Sequence, residues 1–346
     1  MSENFKNILI IKPSSLGDIV LALPALSGLR RSFPDAKISW LIRSEFIPLL
    51  ENHPHLTEII PFDRKFLGKA WFYPLAFSSL VSLVWRLRRN KFDAVFDLQG
   101  LLRTASLARL TGCKKRFGMA NARELAHIFY TDKVQQDIEC VHLIDFYLKI
   151  IQTAGVTDFC VQFILPQQQA AADSANRLLA HYGVTPGNYA VFVPGSAHSD
   201  KCWPLERFAA LAGKISSQLH LSIVATGIAS QKSFIDRLET IASVPIANLA
   251  GLTSISELIA ILKFARLVVS NDTGPGHIAA ALGTPLVMIF GRSNPARVAP
   301  YGRKNCVVAV EPYDRGLCIN SPDPKHDIKA VTVDDVFQKV CEQLNL

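Results

Sequence analysis

Short runs of Ile, Val, Leu and Phe recur along the chain, most of them closed by Gly, Pro, Asn or Asp. Between them lie longer stretches whose apolar residues return every three or four positions. The first kind of segment reads as a buried strand and the second as an amphipathic helix, so their alternation predicts βα units and a mostly parallel sheet. In the first half, strands are expected at 7–12, 37–42, 58–62, 94–99 and 115–119, with helices near 18–32, 70–90, 101–110 and 138–153. The rhythm breaks over 155–169, where helical period is lost and three glutamines open a new helix. It resumes with strands at 189–195, 221–227, 245–251, 266–272, 285–291 and 305–311. The expected fold class is α/β: two doubly wound Rossmann-like domains, 1–160 and 161–346, facing across a cleft. A last helix over 332–346 carries Val333, Val336, Phe337, Val340, Cys341 and Leu344 on one stripe. That stripe has to be covered, either by the second domain or by packing back on the first.

Composition narrows the function classes. The net charge of +8 implies anionic partners, and the cations Arg86, Arg88, Arg89, Lys91, Arg103, Lys114, Lys115, Arg116 and Arg123 all fall in the first half. No DNA-reading motif accompanies them, so nucleic acid is not the expected partner. Seven cysteines without a C-x-x-C pair suggest neither a disulfide framework nor a zinc site, and they read as reduced cytosolic thiols. The apolar run near the N-terminus is too short for a signal peptide, so a cytoplasmic location is expected. The apolar segment 70–85 is shorter than the ~20 residues of a membrane-spanning helix. It reads as a crossover helix on the sheet, with docking on an anionic membrane face as a second option because four cations follow it.

Three polar loops at strand ends carry the candidate chemistry. There is no Gly-x-x-x-x-Gly-Lys-Ser/Thr and no three-glycine dinucleotide fingerprint, and no carboxylate or histidine cluster suggests a metal, so a metal-free mechanism is expected. "SNDTGPGH" (270–277) leads a buried strand into a helix whose free N–H groups and dipole suit a pyrophosphate, while its glycines let a ligand approach the backbone. Helix capping by Asp272 or Thr273 accounts for part of this stretch, yet capping does not require Gly-Pro-Gly or His277 one turn in. "FVPGSAHSDKCWP" (192–204) follows another strand, with Ser196 and Lys201 able to meet phosphate oxygens. "KPSSLGD" (12–18) places an acid, Asp18, where a helix begins. Residue type alone leaves two readings of it: a capping acid, or a base kept ionised by the helix N-terminus that takes a proton from an attacking hydroxyl.

At these residues the sequence resembles the lipopolysaccharide heptosyltransferases, ADP-heptose-dependent glycosyltransferases of the GT-B fold, and within them the heptosyltransferase I branch. "KPSSLGD" resembles the family's Ser-Ser-x-Gly-Asp opening, "SNDTGPGHIAAALGTP" its donor motif and "DKCWPLERF" its Asp-Lys-x-Trp-Pro element, while "GKAWF" (68–72) and "NARELA" (121–126) resemble that branch in particular. The resemblance implies an inverting transfer of heptose from ADP-heptose, with no cofactor, to a Kdo residue on lipid A, at the cytoplasmic face of the inner membrane. It implies Asp18 as catalytic base. Ser196, Lys201, Gln231, Gly251, Leu252, Asp272, Thr273, Gly274 and His277 would bind the donor, and Ser15, Gly17, Lys69 and Arg123 the acceptor. The chain departs from the branch at Gln231, where a glutamate would face the donor ribose, and at Ala197, where a threonine would stand. Within the family the alternative is heptosyltransferase II or another core glycosyltransferase, and two rivals outside it share the two-lobed outline: a nucleotide-sugar epimerase, and a non-catalytic nucleotide-sugar-binding protein.

Overall fold

The computed structural model describes residues 4–69, 72–157 and 160–346. Positions 70 and 71 of the expected helix over 70–90, and 158 and 159 of the expected linker, lie outside them. The chain divides into two compact units, Met1–Pro166 and Gln167–Leu346.

The first unit comprises β1 (Asn7–Ile11), α1 (Leu16–Ser32), β2 (Lys37–Ile42), β3 (Glu58–Pro61), α2 (Arg64–Leu67), α3 (Pro74–Arg89), β4 (Ala94–Asp97), α4 (Leu102–Leu110), β5 (Lys115–Met119), β6 (Asp132–Val134) and α5 (Leu143–Gln152). Its strands form a parallel six-stranded sheet in the order β3-β2-β1-β4-β5-β6. The second unit comprises α6 (Gln169–His181), β7 (Tyr189–Val193), α7 (Leu205–Leu219), β8 (Ser222–Ala225), α8 (Lys232–Ile241), β9 (Ile246–Asn248), α9 (Ile255–Phe264), β10 (Leu267–Asn271), α10 (Gly274–Leu282), β11 (Leu286–Ile289), α11 (Pro295–Val298), β12 (Val307–Val308) and α12 (Val333–Leu344). Its sheet runs β9-β8-β7-β10-β11-β12, again parallel throughout. Counted from the first strand of each unit, the two orders are the same, 3-2-1-4-5-6. Each sheet reverses direction once, between β1 and β4 and between β7 and β10, and ligands of such sheets sit outside the strand ends at that reversal.

Central strands buried on both faces explain the continuous apolar runs of the sequence: every residue of β7 and of β10 is buried. Helix α1 is likewise buried at every position from Ile19 to Leu29 and packs on α5. Helix α3 differs. Leu83 and Leu87 join Leu9, Ile11, Leu41 and Val95 in the core, but Leu75, Phe77, Val81 and Trp85 are 51–75% exposed.

Three expectations change in detail. The helix read from 138 begins at Leu143, where the His142 side chain accepts the N–H of Ile144. The three-residue edge strand β6 was not expected, being too short to show a period. The strand read over 305–311 pairs only at Val307 and Val308. Beyond them the Arg315 guanidinium donates to the carbonyls of Gly291, Ser293 and Val310 at 2.6–2.8 Å, so a side chain replaces the sheet ladder. In the terminal helix α12, Val336 and Val340 are fully buried in the second unit's core, against α7 and β11.

One close approach in the first sheet can be tested. A Cβ added at Gly118 in β5 would lie 2.5 Å from the Tyr130 ring, which is buried. Gly118→Ala is expected to lower the unfolding free energy by roughly 1–3 kcal/mol in urea titrations. An unchanged midpoint would mean that the ring moves aside at no cost.

Candidate functional site

In the first unit a buried charged framework underlies the reversal point. Lys12, directly after β1, is 3% exposed. Its Nζ donates to the Leu98 carbonyl at 3.1 Å and lies 5.4 Å above the Tyr147 ring. Asp97, the last residue of β4, is fully buried; its carboxylate accepts the N–H groups of Gln99 at 2.9 Å and Gly100 at 3.2 Å and the Tyr130 hydroxyl at 2.8 Å. Burial pushes the Asp97 carboxyl above its ordinary range, with these hydrogen bonds opposing. Burial acts downward on Lys12, but Tyr147, Asp18 and Asp97 outweigh it and hold the ammonium above its ordinary value. Polar groups buried this deeply are tolerated because they are hydrogen-bonded, and together they tie down the backbone of both exit loops.

Above this framework Ser15 caps α1. Asp18 Oδ2 accepts the Ser15 N–H at 3.0 Å and the Ser15 hydroxyl at 2.9 Å, so the acid closes the first turn of its own helix. Gly17 is buried in that turn. Arg123 is exposed and donates its N–H to the Gly100 carbonyl at 3.1 Å, which ties the 121–126 loop to the β4 exit. Ser15, Gly17 and Asp18 thus share the β1 exit with Arg123 at the neighbouring one. Lys69 is not among them: it is exposed between α2 and α3, its ammonium 5.7 Å from the Tyr73 ring.

In the second unit the nine candidates stand on four adjacent strand exits. Asn271, fully buried at the end of β10, donates to the Pro194 carbonyl at 2.8 Å and accepts the Trp203 N–H at 3.1 Å, stitching the β7 exit loop to the start of α10. Within that frame Lys201 Nζ is 2.6 Å from Asp272 Oδ2, and His277 Nε2 is 3.4 Å from Oδ1. The Asp272 side chain is 8% exposed. Burial alone would raise its carboxyl, but the hydrogen bond from His277 and the charge of Lys201 hold it well below the ordinary carboxylate range. The Thr273 hydroxyl pairs with Ser270 at 3.0 Å and does not cap α10, so no side chain of its N-cap residue occupies the N–H groups of its first turn. A Cβ on Gly276 would meet Ser270 Oγ at 2.8 Å, so glycine is required for the helix to start this close to the strand. Gln231 sits in a slot between Gly195 and Gly227, where an added Cβ would lie 2.5 or 2.8 Å from its amide, and it donates to the Ser196 carbonyl at 3.4 Å. Gly251, with φ of +75°, hydrogen-bonds Gly227 at 2.9 Å and leaves Leu252 49% exposed beside that slot.

Sequence reading missed Lys12, Asp97 and Asn271 as organisers of the site. The signal available was a polar residue ending an otherwise apolar strand, visible at Asp97 and Asn271 and ambiguous with ordinary strand termination.

Two Rossmann-type sheets of one strand order, with polar groups gathered at each reversal and an anion-ready helix start in the second, define a GT-B glycosyltransferase. The chain belongs to glycosyltransferase family 9 (heptosyltransferase), whose model matches residues 80–328. It is 30% identical over 318 residues to lipopolysaccharide heptosyltransferase 1 of Escherichia coli K12, covering 91% of this chain and 96% of that protein. Among solved structures it is similar to a family 9 glycosyl transferase from Veillonella parvula, with TM-score 0.84 and 23% identity over 100% and 99% of the two chains. It is also similar to Escherichia coli heptosyltransferase WaaC with ADP-2-deoxy-2-fluoro heptose, with TM-score 0.74 and 27% identity over 97% and 99%.

The depressed Asp272 carboxyl has a stability consequence. Its contribution is complete above the ordinary value of 3.8 and is lost as pH falls through the lower folded-state value. Asp272→Asn is expected to cost about 1–3 kcal/mol in urea unfolding at neutral pH. The gap from the native protein should narrow as the pH is lowered from 4 towards ~2; a gap independent of pH would exclude the charge as its source.

Proposed function

We propose that the protein transfers heptose from ADP-heptose to a Kdo residue of the lipopolysaccharide inner core, with inversion and without a metal. The observation that carries this reading is the α10 start. A helix start without a capping side chain, its dipole and Lys201, paired with Asp272 just before it, lie together there, and such donors match the charge that grows on a departing pyrophosphate. In this reading Asp272, Thr273, Gly274 and His277 meet the sugar and diphosphate. Ser196 and Lys201 meet the phosphates, Gln231 the ribose side, and Gly251 and Leu252 the adenine. Lys201 exchanges its partner from Asp272 to a phosphate when the donor arrives, which frees an Asp272 oxygen for a heptose hydroxyl.

Asp18 takes the proton from the acceptor hydroxyl as that oxygen forms its bond to the anomeric carbon and the bond to the diphosphate breaks. Its position in the first turn of α1 favours the ionised form a base needs. Ser15, Gly17, Lys69 and Arg123 contact the acceptor. The test is incubation of the purified protein with ADP-heptose and lipid A bearing Kdo, followed by mass spectrometry of the lipid. Addition of one heptose supports the assignment; transfer only to an already heptosylated acceptor makes the protein a later core heptosyltransferase. Asp18→Asn is expected to reduce turnover by roughly 100- to 10,000-fold while donor binding by calorimetry is retained. An epimerase would consume donor without acceptor, and a binding protein would show no turnover.

We also propose a cytoplasmic protein that works at the inner membrane through α3. No helix among the described residues is long and apolar enough to cross a membrane. Between Asp63 and Asp93 the chain has seven cations and no acid, and Phe72, Leu75, Phe77 and Trp85 are 58–84% exposed beside them. That combination suits an interfacial helix on anionic lipid. Phe77→Ser with Trp85→Ser is expected to reduce co-sedimentation with phosphatidylglycerol vesicles about tenfold or more. Equal binding to neutral vesicles would argue against it.

A further inference from the structure

Strand β10 leads into the helix start on which the donor reading rests, and its neighbours in the sheet are β7 and β11. The β7 exit brings Lys201 to that start. The β11 exit carries a cation as well, Arg292. Register places it level with α10: Asn271 pairs with Ile289, and the third residue beyond each is Gly274, which opens α10, and Arg292. Adjacent strands lie about 4.8 Å apart where they pair, and an extended arginine side chain is longer than that spacing. Arg292 is half-buried, and among the described residues its guanidinium has no ion pair or hydrogen-bond partner. Lys201, by contrast, is already held by Asp272.

The turn that carries Arg292 is fixed at three consecutive carbonyls. The Arg315 guanidinium donates to those of Gly291 at 2.7 Å and Ser293 at 2.8 Å, and the Ser321 N–H donates to that of Arg292 at 2.7 Å. One residue on, Asn294 Nδ2 donates to the carbonyls of Gly316 and Cys318, both at 2.9 Å. Arg315 itself is buried. Burying a guanidinium is costly unless its N–H groups are bonded, and here two of the bonds go to the residues on either side of Arg292. The turn is therefore set before a ligand arrives.

We propose that Arg292 is a further donor residue, which binds the β-phosphate of the nucleoside diphosphate from the β11 side while Lys201 meets the diphosphate from the β7 side. The inference deepens the transferase reading given above and rests on it, and Arg292 is not among the nine donor candidates read from the sequence. The choice of phosphate follows from strand order. In that reading adenine lies at the β9 exit, ribose at β8 and the diphosphate at β7 and β10, so β11, next beyond β10, stands at the sugar end. The phosphate that carries the sugar is the β-phosphate. In the transfer, the bond between the anomeric carbon and the β-phosphate oxygen breaks and its electron pair stays on that oxygen. The acceptor oxygen bonds to the carbon and gives its proton to Asp18. A guanidinium fork can bond two oxygens of the departing group at once, and one already in position meets the growing charge without reorganisation.

The test uses Arg292→Gln and Arg292→Lys in the full chain, with ADP and AMP as calorimetric probes. Arg292→Gln is expected to weaken ADP about ten- to a hundredfold and to leave AMP within about twofold of the native protein, because only ADP carries the second phosphate. Retained AMP binding also shows that the variant is folded. With ADP-heptose and Kdo-bearing lipid A, kcat should fall about ten- to a thousandfold while acceptor KM stays near the native value. Arg292→Lys keeps a point charge and loses the fork, so it should recover part of both losses. Equal losses for ADP and AMP, an unchanged ADP affinity, or a rise in acceptor KM alone overturns the proposal.

The nucleotide measurements do not depend on heptose transfer. If ADP-heptose and lipid A give no product, yet the native protein prefers ADP to AMP and Arg292→Gln loses that preference, the role of Arg292 stands and the heptose reading falls. No binding of ADP by the native protein overturns both.

Discussion

A parallel sheet whose strand order reverses once sends two neighbouring connections to opposite faces, and the gap between them is the one place where strand ends remain uncovered. Both units of this chain are built round that gap. The backbone groups there lack ladder partners, so the chain supplies side chains to fix the loops. Asn271 bridges the exits of β7 and β10 by accepting from Trp203 and donating to Pro194. In the first unit Lys12 and Asp97 do the equivalent with charge, bonding Leu98, Gln99 and Gly100 from below. A neutral amide suffices in one sheet and a buried charged framework serves in the other, and in each case the loops above are held before any ligand arrives.

The strands of this fold could be read directly because most are buried on both faces: β7 and β11 appear as unbroken apolar runs, and β1 and β10 carry polar residues only at one end, a pattern that suits a covered parallel sheet. Reading failed where local pattern did not decide the outcome. Three residues of β6 contain no period. The run at 305–311 looks like a strand, yet Arg315, several residues later, takes its carbonyl and stops the pairing. The site divides in the same way. Residues that lie together in one loop, such as Asp272 to His277, could be picked out from their own stretch. Lys12 and Asp97 could not, because they come from two separate strand ends and become neighbours only once β1 and β4 pair in the sheet.

Helix α3 shows a different kind of constraint. A crossover helix on a sheet needs one apolar stripe, which Leu83 and Leu87 provide. Leu75, Phe77, Val81 and Trp85 lie outside that need and remain exposed. Burial inside the fold therefore does not account for them, whereas the stacking of Arg89 on Trp85 at 5.0 Å keeps an aromatic and a cation together at the surface. One face of the segment packs and another stays exposed, so its composition alone supported both readings.

The acid at the start of α1 gains its meaning from comparison with α10. Both helices begin at the reversal point of a parallel sheet, and both offer unpaired N–H groups and the positive end of a dipole. In α1 that potential is already answered by Asp18, whose carboxylate accepts from Ser15. In α10 the first turn contains no acid, and Asp272 just before it is ion-paired with Lys201 and hydrogen-bonded by His277. An arriving diphosphate therefore finds one helix start electrostatically occupied and the other open.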